Sequence, residues 1–130
     1  MSMETLRLEV DAIMKAEGVT FCYGPVESKP GAYAEAEYRA KAKTIVLDEM
    51  LMGYPDEYQD EPLTLAHELG HHFDSLRAKE PSITDDEREC RADEYMVRLA
   101  DKHGVGDRAR ALANCHRPGS YVDKEKRSSV

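Results

Sequence analysis

The sequence predicts an α+β domain, and three observations carry that prediction. Residues 3–16 place apolar side chains at helical spacing. Residues 32–47 alternate in polarity and then become β-branched, as paired strands do. Two later segments, 60–74 and 84–102, join helix-start signals to apolar stripes. At 130 residues the chain suits one domain with a modest core.

The elements follow in order. Leu6, Val10, Ile13 and Met14 share one face of the first helix, and Gly18 ends it. Val19-Thr20-Phe21-Cys22-Tyr23 is β-branched and aromatic, hence a short strand. Gly24-Pro25 and Lys29-Pro30-Gly31 mark a loop. Ala32, Ala34, Ala36 and Tyr38 then alternate with Tyr33, Glu35, Glu37 and Arg39, ahead of a stronger strand, Thr44-Ile45-Val46-Leu47. The two make a hairpin that turns near Ala40–Lys43. Asp48 to Glu61 holds six acids and no bases, with Gly53 and Pro55. It reads as a loop or broken helix, a solvated connector.

Asp60 is placed to cap the next helix, with Pro62 in the first turn, where a missing N–H costs nothing. Thr84-Asp85-Asp86-Glu87 matches a capping box. The helix it opens runs to about Lys102, buries Met96, Leu99 and Ala100, and has Gly104 just past its end. A short helix from Asp107 to about Cys115 follows. The domain therefore spans 1–117, and 118–130 reads as a polar, flexible tail.

Composition narrows the class. An apolar fraction of 41% and a charged fraction of 34% describe a soluble globular protein. No apolar run approaches the roughly 20 residues that cross a bilayer. The start, MSMETLRLEV, lacks a basic-then-apolar signal, so the expected location is the cytoplasm. Cys22, Cys90 and Cys115 are few, odd in number and far apart, which fits reduced thiols. A net charge of −8 argues against direct binding of nucleic acid, while leaving a basic protein partner open.

The chemistry gathers in LTLAHELGHHFD, residues 63–74. Leu63, Ala66, His67, Gly70, His71 and Asp74 follow one helical stripe. His67 and His71, four apart, project from one face and can reach a single metal ion at about 2.1 Å each. Glu68 points about 100° round from His67, too far to be the natural third ligand but well placed to hold and deprotonate a water. This spacing is the mechanical content of His-Glu-x-x-His. Gly70 costs about 1 kcal/mol against alanine inside a helix. Close approach of another element beside the metal would explain it.

The third ligand is sought by exclusion. The extended pattern with Gly and His at the next two stations fails, because Asp74 and Arg77 stand there. A carboxylate from a second helix remains. Glu89, eighteen residues after His71, is the foremost choice, with Glu87 and Glu94 as competitors. Asp93, one turn past Glu89, can accept the far N–H of a ligating histidine and fix its tautomer. His72 is one residue off the stripe and is expected not to ligate. His103 and His116 have no evident partner; either could polarise a carbonyl.

Leu65-Ala66-His67-Glu68-Leu69-Gly70-His71 and Glu89-Cys90-Arg91-Ala92-Asp93-Glu94-Tyr95 together resemble the two motifs of the ImmA/IrrE family of metallopeptidases. The likeness covers roughly residues 40–100. In its second motif the first Glu is the third metal ligand. The family's Leu-Leu-Met-Pro stretch is replaced here by Met96-Val97-Arg98-Leu99-Ala100. The resemblance implies a minimal zincin: a small, mostly antiparallel sheet packed on the HExxH helix, with the ligand-bearing helix behind. It implies zinc, with manganese as the alternative, held by His67, His71 and Glu89. Glu68 would be the catalytic base and acid, and Asp93 would orient a ligand.

The expected activity is zinc-dependent hydrolysis of a peptide bond in a protein substrate, such as a helix-turn-helix repressor. An extended substrate would lie along the sheet edge, and the acidic stretch 48–61 would favour a basic partner. The oxyanion stabiliser is open among Tyr54, Tyr58, His103, His116 and Tyr121. The rival reading is a non-catalytic, metal-stabilised binding module for a repressor or other partner. No membrane partner is expected.

Overall fold

A computed structural model describes residues 2–26, 36–48, 60–77 and 84–116, with the side chains of 115 and 116 outside the description. Its order is α1 (Met3–Glu17), β1 (Thr20–Gly24), β2 (Ala36–Arg39), β3 (Thr44–Asp48), α2 (Glu61–Ser75), α3 (Asp85–Lys102) and α4 (Gly106–His116). Four helices and a three-stranded sheet among the described residues make the fold α+β. The stretch 49–59, the alternating residues 32–35 and the tail 118–130 lie outside the described residues.

Helix α1 ends where Gly18 takes a left-handed conformation at φ 70° and the Val19 N–H returns to the Met14 carbonyl, 2.8 Å away. Val19 thus belongs to the helix cap, and the strand begins one residue later than its composition indicates. The hairpin forms as predicted: Glu37 pairs with Val46 and Tyr38 with Ile45, across a turn at 40–43. The sheet order is β1-β3-β2. Because β1 runs parallel to β3 and β2 antiparallel to it, the sheet is mixed rather than mostly antiparallel. The hairpin signal is local and determines only the β2–β3 pair. The place of β1 is a long-range pairing that no short pattern encodes.

The core lies between the inner face of this sheet and the helices. Ile45 and Leu47 meet Leu6 and Val10 of α1, Leu63, Leu65 and Leu69 of α2, and Met96 of α3. Helix α2 is the central element, buried nearly all round through its first two and a half turns. A helix so enclosed has little solvent-facing surface, so the polar side chains of its buried first turn need partners inside the protein.

At the N-terminus of α2 they do. Asp60 occupies the cap position, but its side chain makes no cap bond. It instead receives the Arg108 guanidinium in a two-pronged bond, 2.9 and 2.8 Å. Glu61, 3% exposed, accepts from Arg7 at 2.6 Å and from the Tyr23 hydroxyl. Two of the six acids read as a solvated connector are therefore tied to the protein's own arginines. Thr84 does cap α3, accepting the Glu87 N–H at 3.1 Å.

Removing the buried Glu61 carboxylate takes an acceptor from Tyr23 and from Arg7, which keeps Asp11 and partial contact with water. Glu61→Ala is expected to lower unfolding stability by about 2 kcal/mol, read from urea denaturation. A change below about 0.5 kcal/mol would be that of an ordinary surface site and would contradict the anchoring role.

Candidate metal centre

Helix α2 presents His67 and His71 one turn apart, their rings edge to face with centroids 4.9 Å apart. Facing them, α3 presents Glu89, whose Oε2 lies 2.9 Å from His67 Nε2 and 3.2 Å from His71 Nε2. The donor atoms of these three residues all fall within 4.8 Å of one another, and together they can hold a metal ion. Donors around a tetrahedral ion with bonds near 2.1 Å stand about 3.4 Å apart. Small side-chain adjustments convert one arrangement into the other. Of the competing acids, Glu87 is exposed at the start of α3 and Glu94 pairs with Arg98.

Two helices can meet this closely because of Gly70. A Cβ built there would stand 2.8 Å from the Ala92 Cα and 3.1 Å from its carbonyl oxygen. Glycine is required because the neighbour is backbone, which cannot swing away. One turn further along, Arg91 reaches back to Asp74 at 3.1 Å. Asp74, which breaks the extended histidine pattern, serves here as a tie between the helices.

Behind the donors, Asp93 is 1% exposed and its Oδ1 lies 2.9 Å from His67 Nδ1. A carboxylate only accepts, so the proton is held on Nδ1 and Nε2 is the atom turned to Glu89. Burial works against charge on His67, yet the bonds to Asp93 and Glu89 outweigh it and raise its pKa from 6.5 to about 10. Burial likewise opposes the Glu89 charge, but the bonds from His67 and His71 pull its carboxyl well below the usual range. A proton on His67 Nε2 thus stands where a metal would bind.

Glu68 follows different rules. It is 5% exposed and has no hydrogen-bond partner among the described residues. Burial pushes its carboxyl pKa up. The histidines offset that rise in part, while the charges of Glu89 and of Glu37 on β2 add to it. Lying about 100° round α2 from His67, it sits between the donor face and the face that packs against β2.

The other sequence candidates are elsewhere. His72 is buried, with Nδ1 2.7 Å from the Tyr38 hydroxyl and Nε2 3.0 Å from Glu17 Oε1. His103 turns both ring nitrogens to α1, toward Thr5 at 3.0 Å and Glu9 at 2.6 Å. Tyr54, Tyr58, Tyr121 and the His116 side chain lie outside the described residues. Cys22 is an exposed free thiol and Cys90 a half-buried one. No described helix is long and apolar enough to cross a membrane. Reading along the chain did not find Arg91 or Tyr38; their roles appear only when α2 is set against α3 and β2. Comparison with family models, curated proteins and solved structures finds no match.

The His67 pKa is raised on folding. Its contribution to the metal-free protein is therefore complete below 6.5 and lost as pH climbs through about 10. Zinc must displace that proton. Calorimetry in buffers of different ionisation enthalpy should show proton release at pH 7, and affinity should rise about tenfold per pH unit while His67 is charged. Binding without proton release would contradict the assigned site. Gly70→Ala should force the helices apart and weaken zinc binding about tenfold or more; unchanged affinity would show that this approach does not set the donor geometry.

Proposed function

We propose that this protein is a metal-dependent endopeptidase that cleaves a protein substrate, with zinc as the preferred ion. The observation that carries the reading is Glu68. Its carboxylate is buried beside three converging donors, with no described hydrogen-bond partner and with His67 and His71 as its charge neighbours, which is the placement of a base. A site built only for stability has no need of a base there. The resemblance of the two helical motifs to ImmA/IrrE metallopeptidases supports the same reading and makes a DNA-binding repressor the leading substrate.

The residues present suit the ion: two imidazoles and one carboxylate are a common catalytic zinc set, in which the fourth position goes to water or substrate. When bound, zinc polarises a carbonyl and acidifies water. The protein's own groups do the rest. His67, His71 and Glu89 hold the ion, and Asp93 keeps the His67 ring turned so that Nε2 is the ligating atom. Glu68, its basicity raised by burial, accepts the proton of the attacking water and delivers it to the leaving amine. The edge of β2 that no described strand covers, on the Glu68 side of α2, is where an extended peptide would add by backbone pairing.

Glu68→Gln keeps shape and removes the base. The zinc-loaded variant should retain one ion per chain and native stability while losing about a thousandfold or more in peptide hydrolysis, measured on a random-sequence peptide mixture by mass spectrometry. Wild-type protein that holds zinc yet cleaves nothing, with Glu68→Gln indistinguishable from it in partner binding, would favour the binding-module reading instead.

A further inference from the structure

His67, His71 and His72 look alike in sequence, yet His72 contributes nothing to the donor group. It is nonetheless 1% exposed, and a buried imidazole is costly unless both nitrogens are satisfied. Both are. Glu17 can only accept, so His72 Nε2 donates to it across 3.0 Å. Nδ1 is then the accepting nitrogen, and the Tyr38 hydroxyl donates to it across 2.7 Å. The result is a one-way chain, Tyr38 to His72 to Glu17, linking β2, α2 and the end of α1. The Ser75 hydroxyl donates to the His72 carbonyl at 2.6 Å and braces the same turn.

We propose that His72 is a positioning residue that fixes the edge strand β2, through Tyr38, at a set height and register beside the donor face of α2. The inference rests on the endopeptidase reading, since it concerns where the substrate lies.

Strand β2 needs such a device. Among the described residues it pairs with β3 alone, at one side of the sheet, and its described length is four residues. Slipping by one residue would turn Tyr38 outward and bring Glu37 or Arg39 against α2. An apolar pair of the same shape at Tyr38 and His72 would pack as well. It would not distinguish one height of the strand from another. A directional, fully satisfied chain does. Glu68 sits on α2 between the histidine donors and this contact, so strand height sets the gap a peptide must enter.

The test separates the metal from the strand. Acetohydroxamate binds the ion alone, whereas a tetrapeptide hydroxamate also needs the β2 edge. Zinc-loaded wild type, Tyr38→Phe and Glu17→Ala are titrated with both compounds. Tyr38→Phe is expected to bind acetohydroxamate within about twofold of wild type and the tetrapeptide hydroxamate about tenfold more weakly. Glu17→Ala, at the solvent end of the chain, should show the same split at about threefold, and it carries the test if Tyr38→Phe does not fold. Glu17→Gln keeps an acceptor and should restore wild-type binding. Equal weakening of both compounds, or no change in either, overturns the positioning role while leaving the peptidase reading intact. Zinc-loaded wild type that binds neither compound overturns the peptidase reading, and this inference with it.

Discussion

The close contact between α2 and α3 at Gly70 and Ala92 governs the rest of the site. With a Cβ at position 70 the backbones could not approach to the observed distance, and Glu89 would be held away from both histidines. Because the helices touch there, one turn of α3 brings Glu89 to the donor atoms and the next brings Asp93 to the far side of the His67 ring. The Asp74–Arg91 bond closes the same interface from the other end. The helix cost of a glycine, about 1 kcal/mol, is offset by a geometry no other residue permits.

Burial divides the polar groups by task. The donors His67, His71 and Glu89 are partly open to water, while Asp93 behind them and Glu68 beside them are almost fully enclosed. An enclosed carboxylate that is hydrogen-bonded holds a ring in place; an enclosed one that lacks a described partner becomes more basic. Asp93 and Glu68 are the same kind of group put to these two uses, and only their surroundings distinguish them.

Helix α2 is enclosed by the other elements, so its ends matter as much as its middle. Arg108 and Arg7 neutralise Asp60 and Glu61 at its start. The Tyr38–His72–Glu17 chain engages its last turns. Between these two polar anchors the helix is packed by Leu63, Leu65 and Leu69. The donor face is thereby fixed relative to both α3 and the sheet edge.

Much of this was legible in the chain because the governing physics is local. Helical periodicity, the Thr84 cap, the Gly18 and Gly104 stops and the β2–β3 hairpin each depend on residues a few positions apart. The His67–Glu68–His71 spacing is of the same kind, and a single helical turn relates Glu89 to Asp93. Gly70 could be read as a sign of close packing, though not of packing on Ala92. What the tertiary structure alone decided are pairings between distant segments: the parallel placement of β1, the use of Asp60 by Arg108 rather than as a cap, and the burial of His72 against Tyr38 and Glu17. A side chain's offer of a donor or acceptor is written in its type. Which group takes up that offer depends on which segments the collapsed core brings together, and no short window of sequence contains that information.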